Sequence, residues 1–97
     1  MREYAFLIAA ELTLKARIAD SDEKDFIEID LPRDPSTLTF DLLVTTLCRE
    51  LAVERDCVRK IRKRPDTIVR NDRDARRLRD FQELELVLKV DEVKTID

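Results

Sequence analysis

The sequence predicts an α+β domain in which one mixed, four- to five-stranded sheet carries a single helix packed across it. Three observations predict it. Apolar residues alternate with polar ones in two stretches near the start of the chain and one near its end, the period-two mark of half-buried strands. Only the middle of the chain carries a stripe recurring every three to four residues, the mark of an amphipathic helix. No internal repeat and no Pro/Ser-rich linker divides the 97 residues, a length suited to one small domain.

The first strand is Leu12-Thr-Leu-Lys-Ala-Arg-Ile18, with Leu12, Leu14, Ala16 and Ile18 on one side and Thr13, Lys15 and Arg17 on the other. The polar stretch Ala19–Asp25 turns the chain. Ile27, Ile29 and Leu31 then alternate with Glu28 and Asp30 up to Pro32, and a short connection between neighbouring strands makes a hairpin. Two prolines punctuate residues 32–38. Thr39 follows as an N-cap with Asp41 in the first turn, where its charge faces the positive end of the helix dipole. Leu43, Leu47 and Leu51, widened by Phe40, Val44 and Cys48, define a helix over 40–51.

Residues 57–64 read as a strand of imperfect alternation, Pro65-Asp66 as a turn and Thr67–Arg70 as a short strand. Asn71–Asp74 reads as a loop and Ala75–Asp80 as one helical turn. The last strand sets Leu84, Leu86, Leu88 and Val90 against Glu85, Val87 and Lys89. Hairpins at both ends joined by a helical crossover describe the β-grasp topology, with the first and last strands parallel and adjacent at the centre. The expected organisation is an N-terminal arm or strand extension over 1–11, the domain over 12–90 and a polar tail over 91–97.

Composition narrows the function. Charged residues make up 42% of the chain and hydrophobic ones 43%, so an apolar core must sit beneath a densely ionic surface. With no His, the Ser-His-Asp and Cys-His pairs cannot be built, nor can imidazole-ligated metal sites. With no Gly, a phosphate-cradling loop is excluded and tight turns fall to Asn, Asp or Pro. Cys48 and Cys57 read as reduced, buried thiols in a protein kept inside the cell, cytoplasmic in the simplest case. No segment approaches the ~20 apolar residues that span a bilayer, and Tyr4–Ala10 is too short and too soon followed by Glu11 for a secretory signal.

Further along, Leu78-Arg-Asp-Phe81 followed by Leu84-Glu-Leu-Val-Leu-Lys-Val90 is similar to the end of ubiquitin, where a Leu-Ser-Asp-Tyr turn precedes a Leu-His-Leu-Val-Leu-Arg-Leu strand. Leu14–Ile18, Asp25–Ile29, Lys60–Lys63 and Asp80–Leu88 together resemble the C-terminal ubiquitin-like domain of the ankyrin repeat domain-containing protein 40 family and its short relatives. The resemblance runs from about residue 12 to residue 90. It implies a ubiquitin-like β-grasp fold, no enzymatic role, no cofactor and an adaptor-type role in protein binding. It defines no site residues to carry over. The chain lacks ankyrin repeats, which fits an excised domain or a short relative.

The candidate site comes from the residues alone. Arg59, Lys60, Arg62, Lys63 and Arg64 place five cations in six positions, with Arg70 nearby. The plainer reading, and the weightier one, is a solvated strand with snorkelling side chains; the functional reading is a docking surface for an acidic protein segment. Nucleic acid or an anionic membrane is the alternative ligand. The net charge of −3 and the absence of interleaved aromatics argue against nucleic acid. Asp20, Asp22, Glu23 and Asp25 crowd the first hairpin turn without the Gly of a calcium loop. They read as a soluble turn whose strand edge Glu28 and Asp30 protect. The opposed charge runs also allow front-to-back association of copies, and residues 4–10 are a candidate homodimer arm. Glu28 and Asp30 disfavour a Ras-like partner. The charged outward face, with Val87 its one apolar residue, disfavours ubiquitin's binding mode. The ending Lys94–Asp97 is not the Gly-Gly of a conjugated modifier. A small thiol or carboxylate enzyme is a further alternative, with no basic partner spaced to serve it.

Overall fold

The structure is a computed structural model that describes residues 11–90. The strands are β1 (Glu11–Ile18), β2 (Ile27–Pro32), β3 (Val58–Lys63), β4 (Thr67–Val69) and β5 (Gln82–Leu88). Helix α1 (Phe40–Leu51) joins the two halves of the chain, a 3-10 turn at Arg55–Cys57 leads into β3, and α2 (Asp72–Arg76) lies between β4 and β5. Spatial order is β2-β1-β5-β3-β4. β1 and β5 run parallel at the centre and every other pairing is antiparallel. This is the expected β-grasp.

The register sorts the side chains. Leu12, Leu14, Ala16, Ile29, Leu31, Ile61, Val69, Leu84 and Leu86 are buried, and Leu43, Val44, Leu47 and Cys48 of α1 join them in one apolar cluster. Helix α1 begins as expected, with the Thr39 hydroxyl accepting the Leu42 N–H at 3.1 Å. A second contact pins the same end: the Asp72 carboxylate accepts the Phe40 N–H at 2.7 Å. The start of α1 is thereby tied to α2, 32 residues away.

Four local features differ from the sequence reading. The helical turn after β4 spans Asp72–Arg76 and not 75–80, because Asn71 caps it, its side chain accepting the Asp74 N–H at 2.9 Å. The final strand ends at Leu88, two residues short of Val90. Cys57 is exposed in the 3-10 turn, whereas Cys48 is buried as expected, and both are free thiols. The gly-free turns use Asp20, as expected, but also Ala52 and Phe81 at positive φ. Ala52 closes α1 in the left-handed conformation, its N–H and that of Val53 satisfying carbonyls of the last turn, the place where Gly is usual. Residues 4–10 and the tail 91–97 lie outside the described residues.

Candidate interaction surface

The face of the sheet opposite α1 has an ionic centre. The parallel register sets Glu85 beside Arg17, and the antiparallel register sets it beside Arg62. Arg17 donates Nε and Nη2 to Glu85 Oε2 at 3.0 and 2.9 Å. Arg62 donates Nε and Nη2 to Oε1 at 3.1 and 2.8 Å. Four charge-assisted hydrogen bonds thus saturate one carboxylate, which is only 8% exposed although it points away from the apolar core. The Arg62 hydrogen bonds, aided by those from Arg17, hold the Glu85 carboxyl below the usual range against the opposing effect of burial. The Phe26 ring covers Arg17, its centroid 4.3 Å from the guanidinium carbon, a cation–π contact. Around this centre the pairings loosen. Arg64 meets Glu83 at 3.3 Å with both side chains about two-fifths exposed. The Thr13 hydroxyl donates to Asp30 at 2.7 Å.

This geometry divides the six cations singled out in the sequence. Arg62 is committed to Glu85 and Arg64 to Glu83. Arg70 is held by Asp74, whose Oδ2 accepts both its backbone N–H and its Nε. Those hydrogen bonds, the backbone one foremost, lower the Asp74 carboxyl below its ordinary value. Arg59, Lys60 and Lys63 make no ion pair among the described residues. A bulge between Val58 and Lys60 interrupts the pairing of β3 with β5 and leaves Arg59 exposed. Lys60 pairs with Val87 on the open face. Lys63, opposite Leu84 and Thr67, lies towards the other side and lines a groove of about 460 Å³ between β4 and α2, with Arg70, Asp74 and Arg77. The run therefore splits between two surfaces.

Arg77, Phe26 and the Glu85 cluster escaped the sequence reading as site features. Arg17 and Glu85 were legible as outward residues of their strands, but the partnership spans 68 residues and depends on the register of a parallel pair. Cys48 carries a thiol that burial pushes up, with Arg55 opposing, so it stays protonated at neutral pH and is a poor nucleophile. Among the described residues no His/Cys/Asp/Glu group could hold a metal ion, and no helix is long and apolar enough to cross a membrane.

Strand order, the crossover helix and the ionic open face define a β-grasp domain of the ubiquitin-like class. The chain belongs to the ANKRD40 ubiquitin-like domain family, whose model matches residues 16–89. It is 52% identical over 84 residues to human ankyrin repeat domain-containing protein 40 and 52% identical over 82 residues to the mouse protein. Those alignments cover 84% and 82% of this chain and 22% of each relative, so the chain spans about a fifth of their length. A human putative ANKRD40 C-terminal-like protein is 50% identical over 72 residues, 74% of this chain and 61% of the relative. No solved structure matches the chain.

Proposed function

We propose that the domain is a non-catalytic protein-interaction module of an intracellular adaptor, docking an acidic protein segment through the basic β3–β4 side of its sheet. The observation that carries this reading is the uneven neutralisation of the basic run. Carboxylates on β5 and α2 occupy Arg62, Arg64 and Arg70, while Arg59, Lys60 and Lys63 of one strand keep their charge unpaired among the described residues. Unpaired cations on β3, next to the β4 edge and shared between the two faces of the sheet, steer and orient acidic partners. The buried thiol of Cys48 and the saturated carboxylate of Glu85 both lack the reactivity that catalysis would need. The relatives' name supports the same role, since ankyrin repeats stack into solenoids that present extended binding surfaces.

The test is affinity capture from a lysate of the source cells, comparing the native chain with a variant carrying Arg59→Glu, Lys60→Glu and Lys63→Glu. These three lie outside the Glu85 cluster, so the variant should keep native circular dichroism and lose the partners. Unchanged recovery of the same partners by the folded variant would refute a basic docking side.

A further inference from the structure

The two edges of the sheet are built differently. β2 ends one side and β4 the other, and an edge strand offers unpaired N–H and C=O groups to any extended chain. β2 carries the usual defences: Glu28 and Asp30 within the strand and Pro32 at its end. β4 carries none. Its three residues, Thr67, Ile68 and Val69, are uncharged and all β-branched, the composition best suited to pairing. Ile68 is 44% exposed although it is large and apolar.

The space beside β4 is also prepared. The groove of about 460 Å³ is lined by all three β4 residues on one side and by Asp74, Arg77 and Leu78 of the α2 region on the other. Its wall is fixed in place, because Asp72 accepts the Phe40 N–H and Asn71 caps α2. Three cations line it, Lys63, Arg70 and Arg77, against two carboxylates, Asp66 and Asp74. Asp74 is consumed by Arg70, and neither Lys63 nor Arg77 has an ion-pair partner among the described residues. An open strand edge and a groove of net positive charge therefore share one site.

We infer that β4 accepts an extended partner segment as a sixth strand, with an aspartate or glutamate side chain of that segment seated in the groove against Lys63 and Arg77. Main-chain pairing supplies the general affinity and alternate side chains the selectivity. The proposal rests on the interaction-module reading and gives its docking side a mode and a partner chemistry.

The experiment uses the full chain and a pool of extended peptides of about six residues, the usual strand length, alternating Val, Ile or Thr with Asp or Glu. Backbone amide shifts are followed by NMR. Shifts centred on Thr67–Val69 and on Lys63 and Arg77 are expected. Combined Lys63→Glu and Arg77→Glu substitution should weaken binding about tenfold or more, the scale of charge-assisted hydrogen bonds. A matched pool with N-methylated backbones should not bind, and a pool with Lys in place of the acids should bind far more weakly. Shifts confined to Arg59 and Lys60 would overturn strand addition while leaving the interaction-module reading intact. So would equal binding of the N-methylated pool. No binding by the acidic pool overturns the inference, as does binding only when phosphoserine replaces the acids; lysate capture still judges the broader reading separately. Should the double variant unfold, Ile68→Pro, which disrupts pairing without touching charge, must abolish the β4 shifts.

Discussion

The two faces of the sheet are both shielded from water at their centre, and by opposite means. On one face α1 covers Leu12, Leu14, Leu84 and Leu86 with hydrocarbon. On the other, among the described residues no secondary-structure element covers Glu85, yet it is almost as buried, roofed by the stems and guanidinium groups of Arg17 and Arg62 with Phe26 over the first. Parallel strands are normally covered on both sides. Here a central parallel pair has a helix as one cover and a charged lid as the other. Long cationic side chains can act as such a cover because they bury their stems while their heads stay near water. The two covers should respond to quite different perturbations.

The largest effect is expected on the helix side. Leu86→Ala or Leu47→Ala removes a fully packed side chain and should cost about 2–5 kcal/mol, read from chemical denaturation. A shift below about 0.5 kcal/mol would place the residue outside the core. On the ionic side, Glu85→Ala leaves Arg17 and Arg62 facing each other without their carboxylate. Both guanidinium groups retain some solvent contact, so the expected cost is about 1–3 kcal/mol. Replacing the whole cluster, with Arg17→Met, Glu85→Leu and Arg62→Met, should recover most of that loss or exceed native stability. If it does not, the lid contributes more than a buried ion cluster ordinarily does.

Acid titration separates the faces more sharply. The folded pKa of Glu85 lies below its ordinary value. Its stabilisation is therefore complete above the ordinary glutamate range and is lost as pH falls through the lowered folded pKa. Denaturation midpoints followed from neutral pH downward should fall in the native chain and fall less in Glu85→Gln, whereas Leu86→Ala should keep the native acid slope. The smallest effect is expected at the margin. Arg64→Ala breaks an ion pair whose members are each about two-fifths exposed. It should cost at most about 1 kcal/mol, and less in high salt.

The helix-side face was almost wholly legible in the sequence. Period-two alternation named Leu12, Leu14, Leu84 and Leu86, and the leucine spacing named α1, because a half-buried element writes its inward positions into local order. The open face was legible only as a list of outward residues. Alternation placed Glu85 there as a wetted side chain, and nothing local announces that Arg17 and Arg62, 68 and 23 residues away, close over it. The capped helix α2 is an intermediate case. Asn71 with an acidic residue three positions on was readable as a helix start, but the neighbouring polar residues read equally well as a loop. The positive φ of Ala52 and Phe81 had no signal at all, since neither is a residue that usually marks a left-handed turn.

The central pairing of β1 with β5 bears on how the chain acquires its structure in time. Leu14 meets Gln82 and Ile18 meets Leu86, so the middle of the sheet cannot close until almost the whole domain exists. A nascent chain stopped before Gln82 would have the residues of the first hairpin and α1, with the Leu12–Leu14–Ala16 face lacking the strand that completes it. Contacts of such long sequence separation slow folding relative to a helical bundle, towards the intermediate range of mixed α/β domains. The native sheet therefore closes only once β5 has been made, and the last strand of the domain to emerge is the one on which the rest assembles.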